Sequence, residues 1–215
     1  MSITIPTLSY ELNTNVRKYR EAKGYKQEEF AFLIGKDQEE VQAFEDLTSD
    51  SSYDINYANF YARILQKLPK DMFFINSFEE AYIKISAKKK ISKKGIITYK
   101  GTGIFNKKTT EIESYSLPLN PDYDISAEDQ ELILEILENW LRAGYFKEGV
   151  TAYKLYQDLL AKAESGEIEL PNSFRPILVS RAIKTICNKR KKPKLLPHRQ
   201  LPKTPEKWLL YKEDT

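Results

Sequence analysis

Apolar positions recur at helical spacing from Leu12, where Val16, Tyr19 and Arg20 share one face, until Gly24 breaks the pattern. A second helix is expected over Gln27 to Ile34, with Phe30, Ala31 and Ile34 in one stripe and Gly35 as its stop. Asp37 and Glu40 form a D-x-x-E pattern, a weaker relative of the capping box, opening a third helix that turns Val41 and Phe44 inward. Helical spacing fades after residue 76. The segments Ile83–Ser86, Gly95–Tyr99 and Ile112–Leu117 have the short, β-branched character of strands, with turns expected at Gly101-Thr102-Gly103 and Asn106-Lys107-Lys108. Pro118 and Pro121 mark a boundary.

Beyond that boundary Ser126 caps the clearest helix of the chain, with Leu132, Ile133, Ile136, Leu137, Trp140 and Leu141 on one face. Thr151 caps a second helix carrying Leu155, Tyr156, Leu159 and Leu160. Ser173 is expected to cap a third, with Pro176 in its first turn and Ile177, Leu178, Ala182, Ile183 and Ile186 inward. A basic, proline-bearing stretch follows, and Lys207-Trp208-Leu209-Leu210-Tyr211 closes the chain as a strand.

Charge changes this picture more than overall composition does. The net charge of +3 over 215 residues conceals strong segregation: −3 over residues 1–76, +7 over 77–108, −10 over 109–171 and +9 over 172–215. The two basic blocks are where an anionic partner would sit. Lys88-Lys89-Lys90 with Lys93-Lys94 is either a phosphate-contacting arm or a lysine-protected hairpin edge, and both readings stay open. The carboxylates Glu128, Asp129, Glu131, Glu135 and Glu138 form the solvated side of a helix.

Catalytic chemistry finds little support. The single Cys187 and single His198 supply neither a disulfide nor a metal cluster, and no triad partners accompany them. Gly101-Thr102-Gly103 is too short for a nucleotide-binding loop. No enzyme activity, no cofactor and no metal are expected. Without a run of 18 apolar residues or a basic-then-apolar start, the chain reads as cytoplasmic, with no membrane partner.

The run from Val16 to Ala31, VRKYREAKGYKQEEFA, followed by Gly35, Val41 and Phe44-Glu45, resembles the lambda-repressor-like (xenobiotic-response-element type) helix-turn-helix family. The resemblance implies a fourth helix over Tyr57–Leu68 and a fifth containing Asp71-Met72-Phe73-Phe74. It also implies major-groove reading by the helix from Asp37 to Asp46. Gln38 and Gln42 would then read adenine, while Lys26, Gln27 and Lys36 touch phosphates. This sequence departs from the family at Lys26, where Ser or Thr is common, and in the acidity of its reading helix. Carboxylates are repelled by the DNA field, so a second role, dimerisation or partner docking, stands beside DNA reading.

Three helices and a basic hairpin ending on an aromatic strand are similar to the winged-helix modules of phage and plasmid replication proteins. The matching positions are Thr151, Leu155-Tyr156, Arg181-Ala182-Ile183 and Trp208. The similarity implies helix contacts to DNA from Arg175, Arg181 and Lys184, and wing contacts from Lys189, Arg190, Lys191, Lys192, Lys194 and Arg199. The expected fold is mainly α with small β elements. It comprises an N-terminal five-helix helix-turn-helix bundle (1–76), a β-hairpin-containing basic connector (77–121) and a C-terminal winged-helix-like domain (122–215). The expected function is sequence-specific binding of double-stranded DNA, as a transcriptional regulator of mobile-element or host genes and as a candidate homodimer. The alternative is a protein-interaction adaptor that docks a basic partner, such as a replication protein or toxin, on the acidic helix Asp37–Asp46 and the acidic face of residues 128–138.

Overall fold

The computed structural model describes residues 2–73, 80–105, 108–200 and 208–214. The expected boundary at 76/77, the turn residues Asn106 and Lys107, Phe74 and Lys207 lie outside the described residues. In chain order the elements are β1 (Ser2–Pro6), α1 (Thr7–Ala22), α2 (Gln27–Ile34), α3 (Gln38–Phe44), α4 (Ala58–Ile64), β2 (Tyr82–Ile91), β3 (Ile96–Phe105), β4 (Lys108–Pro118), α5 (Ala127–Arg142), α6 (Ala152–Glu164), α7 (Pro176–Cys187), β5 (Lys194–Arg199) and β6 (Leu209–Asp214). Among the described residues no helix is long and apolar enough to cross a membrane. Two compact units result: Met1–Lys26 with Glu39–Asp122, and Gln27–Gln38 with Tyr123–Thr215.

In the first unit β1 to β4 form an antiparallel sheet in sequence order. β2 shows why one face is buried. Its sequence YIKISAKKKI alternates, so Ile83, Ile85 and Ala87 turn inward while Tyr82, Lys84, Ser86, Lys88 and Lys90 face solvent. Ile5, Tyr10 and Ile112 complete this inner cluster, and Ile97, Tyr99 and Leu117 form its neighbour. Gly101 lies where the β3–β4 register shifts, and a Cβ there would stand 2.9 Å from the Ser86 carbonyl oxygen. That close approach explains a glycine inside a strand.

A buried polar network ties the helices of this unit together. The Arg20 guanidinium donates to both carboxylate oxygens of Glu45, at 2.7 and 2.6 Å, and to the Tyr25 carbonyl at 2.6 Å. The Tyr53 hydroxyl donates to Glu45 Oε1 at 3.1 Å. Burial works against the Arg20 charge, yet the Glu45 carboxylate holds its pKa above the ordinary value.

In the second unit α7 packs against α5, α2, α6 and β5, with β5 and β6 antiparallel. Val150 bridges to Tyr211 at the hairpin's outer strand. The Ser126 hydroxyl accepts from Asp129 N–H at 3.0 Å, and the Thr151 hydroxyl from Lys154 N–H at 3.2 Å, so both expected caps form. Ser173 does not cap α7; its hydroxyl donates to the Asp129 carboxylate, and α7 begins at Pro176 with Arg175 as N-cap.

The expected fold class is therefore corrected. Among the described residues seven helices stand beside a four-stranded antiparallel sheet and a two-stranded sheet, with 44% helix and 24% strand; the chain is not mainly α with a five-helix N-terminal bundle. Each departure has a physical reason. Ser2–Pro6 pairs with β2, so the middle segment is most of a sheet rather than a hairpin connector. The expected fourth helix stops at Ile64 because Gln66 takes a left-handed φ of 55°, and the expected fifth shrinks to a 3-10 turn over Pro69–Met72. α2 buries Phe30, Ala31, Phe32, Leu33 and Ile34, so it is apolar around most of its circumference and joins the second unit's core. The second unit thus holds four helices, α2, α5, α6 and α7, with the two-stranded sheet β5–β6.

Candidate nucleic-acid interface

The sequence-predicted DNA contacts divide between the units. Lys26 and Gln42 belong to the first; the remaining twelve belong to the second. Lys26 donates to the Asp122 carbonyl, and Gln42 is half-buried on α3. In the second unit Gln27 is buried, Gln38 is half-buried, and the Lys36 ammonium sits 4.6 Å over the Trp208 ring.

α7 is different. Pro176 to Ser180, Ala182, Ile183 and Ile186 are buried, and Arg181, Lys184 and Thr185 are its exposed residues. Exposed Asn188 continues the same 3.6-residue spacing just past the helix end. One narrow polar stripe, basic in its first half, is therefore all that α7 offers to solvent. Exposed Arg190 and Lys191 follow it in the connection to β5.

Six of the expected basic contacts, Lys184 of the stripe among them, are matched to carboxylates of their own unit. Arg175 Nε donates to Glu29 Oε1 at 2.5 Å, and its Nη2 to the second oxygen. Glu29 is fully buried and also accepts from Ile177 N–H at a long 3.4 Å, so a carboxylate from α2 faces the N-terminus of α7. The hydrogen bonds to Glu29 hold the Arg175 pKa above its usual value, although burial opposes them. Removing Arg175 would strand the buried Glu29 carboxylate in a low dielectric, so Arg175 serves the fold and is not at a phosphate's disposal.

Lys184 pairs with Glu28 at 3.2 Å, Lys189 with Glu138 at 2.5 Å, and Arg199 with Asp37 at 2.9 Å. Lys192 and Lys194 share Asp214 at 3.1 and 3.6 Å, and the Lys192 hydrogen bond leads the causes that hold the Asp214 carboxyl below its ordinary range. The Lys184 side chain is 65% exposed and that of Arg199 is 46% exposed. Exposed pairs of this kind contribute about 0–1 kcal/mol, so a phosphate can displace their carboxylates. Magnitude thus separates the cations: Arg181, Lys184, Arg190, Lys191 and Arg199 are available, and Arg175 is not.

One contributor escaped the sequence reading. The Arg175 and Arg181 guanidiniums each lie 5.4 Å from the Tyr123 ring, which orients Arg181 at the head of the stripe. Only the aromatic character of Tyr123, close before a capped helix, hinted at it. His198 is exposed on β5, and burial pushes the Cys187 thiol pKa up, which suits an inert side chain rather than a nucleophile. The expected acidic helix from Asp37 to Asp46 is shorter, α3 over Gln38–Phe44, and the carboxylates that flank it are engaged internally. Glu45 is locked by Arg20, Asp46 accepts from Lys89 at 2.6 Å, and Asp37 is held by Arg199. Compared with protein families, with curated proteins and with solved structures, the chain matches none.

Proposed function

We propose that this protein binds double-stranded DNA through the exposed stripe of α7 and acts as a transcriptional regulator. The observation that carries the reading is the pattern of α7 itself. A helix buried on its other sides keeps Arg181, Lys184, Thr185 and Asn188 in one solvent-facing row, with Arg190 and Lys191 directly after it. Arg181 suits the bidentate acceptors of guanine, Asn188 the adenine edge, and Thr185 either base. Lys184, Arg190, Lys191 and Arg199 supply phosphate contacts that fix register without reading sequence.

Duplex selection from a random pool, followed by a gel-shift titration, tests this. Arg181→Glu with Lys184→Glu should lower affinity for the selected duplex at least a hundredfold. Gln38→Ala with Gln42→Ala should change it less than threefold. Unchanged affinity after the α7 reversals would defeat the assignment.

A second reading rests on α5, where exposed Glu128, Glu131 and Glu135 form an acidic row that would dock a basic protein. Its signature is a DNA-free complex lost on Glu131→Lys and Glu135→Lys, with the α7 changes silent.

A further inference from the structure

We propose that the solvent face of the β2–β3 hairpin is a second, sequence-independent surface for duplex DNA, gripping phosphates through Lys84, Lys88, Lys90 and Lys100. The inference shares only the class of partner with the reading of α7. It concerns a different set of side chains in the first unit.

Register places these lysines on one face. Lys84, Lys88 and Lys90 alternate with the buried Ile83, Ile85 and Ala87. Lys100 is outward because Tyr99 is buried, and it lies directly opposite Lys88 across the ladder. Exposed Lys93 and Lys94 extend the array into the turn that Gly95 closes. None of the six lysines has a carboxylate within 4.0 Å among the described residues, whereas Lys89, on the opposite face of the same strand, is bound to Asp46. Glu111, opposite Thr102, is the carboxylate that register places on this face.

Such an arrangement is not what folding alone selects, because like charges directly opposite each other in a ladder destabilise it. Protection of an open edge accounts for Lys88 and Lys90, which lie beyond the last residue paired to β1, Ser86. It does not account for Lys84, flanked by β1 and β3, or for Lys100, flanked by β2 and β4. A dense polyanion accounts for all four. Residues two apart on a strand are separated by about 7 Å and neighbouring strands by about 4.8 Å, while duplex DNA carries a charge every ~1.7 Å of its axis.

Side-chain chemistry selects the kind of polyanion. Lysine is a point charge suited to single phosphate oxygens, and arginine, the bidentate reader, is absent from β2 and β3. Tyr82 is the aromatic on this face of β2, and among the described residues of β2 and β3 no second ring joins it to make the stack that single strands require. Ser86, Thr98, Thr102 and Ser116 fill the spaces between the lysines with small hydroxyls, with Thr98 and Ser116 bonded at 2.9 Å.

The test uses the full chain and a fluorescein-labelled 24-base-pair duplex of arbitrary sequence, followed by anisotropy across potassium chloride concentrations. Changing Lys84, Lys88, Lys90 and Lys100 together to Gln should lower low-salt affinity at least tenfold. It should also reduce the slope of log K against log salt by roughly 3–4, at about 0.9 per contact. The melting temperature of the DNA-free protein at low salt should stay level or rise as repulsion is relieved. Affinity within twofold of wild type and a slope within one unit would overturn the inference, as would a fall in melting temperature. Tighter binding of the matching single strand, lost in the variant, would overturn duplex DNA as the occupant. A parallel variant, Arg181→Gln with Lys184→Gln, separates the two readings. If it alone weakens binding, the sheet face fails and α7 stands; if neither variant weakens binding, both fail.

Discussion

Replacing Glu45 by Ala should destabilise the first unit more than almost any other single change. Glu45 is completely buried and its carboxylate accepts two hydrogen bonds from Arg20 and one from Tyr53. The substitution leaves the Arg20 guanidinium, 3% exposed, with the Tyr25 carbonyl and, at a longer 3.6 Å, the exposed Glu21 carboxylate. Breaking a buried pair from one side costs about 3–5 kcal/mol, and the exposed Glu21 carboxylate at 3.6 Å offsets only part of the desolvated charge that remains. Against a typical stability of about 5–15 kcal/mol this is a large fraction, and it corresponds to roughly 10–20 °C in Tm for a domain of this size. Urea and thermal unfolding followed by circular dichroism measure it. Arg20→Met combined with Glu45→Leu removes both charges and should recover most of the loss, since well-packed apolar pairs often replace buried ion pairs at little cost. A loss below about 1 kcal/mol for Glu45→Ala, or a double variant no better than the single, would refute the assignment of this pair as a buried, mutually dependent unit.

Two further outcomes follow from the carboxylates. Burial raises the Asp46 pKa, but hydrogen bonds from Lys89 and Thr48 outweigh it and hold the carboxyl below its ordinary 3.8. Its stabilisation is therefore complete above that value and is lost as pH falls through the lower folded pKa, so Asp46→Asn should lower Tm at pH 6 and flatten the acid limb below pH 4. In the second unit Glu28→Gln with Asp37→Asn releases Lys184 and Arg199, and duplex affinity in a gel shift should rise severalfold with a salt slope steeper by up to about 1.8.

Helical caps and stops were legible because they are local. Ser126 and Thr151 accept their expected N–H groups, and Gly24 and Gly35 take the positive φ that ends a helix. What escaped was set by partners distant in sequence. Ser2–Pro6 has the alternation of a strand in Ile3 and Ile5, yet five residues carry a weak signal until β2 pairs with them. Gly101 and Gly103 read as a turn from composition, whereas the close approach of Ser86 places Gly101 inside β3. The run Phe30-Ala31-Phe32-Leu33-Ile34 did carry a usable sign, since a helix apolar nearly all round is buried on more than one side. For the candidate interface, residue type alone marked Arg175 and Arg181 as equals. Only their partners, buried Glu29 for one and the Tyr123 ring and solvent for the other, assign the first to the fold and the second to the surface.

The most direct test of DNA binding by α7 is a backbone amide NMR titration of the labelled full chain with the selected duplex. The account predicts that amides of Arg181, Lys184, Thr185, Asn188, Arg190 and Lys191 shift in proportion to bound DNA. A saturated complex that leaves all six amides unmoved would contradict it.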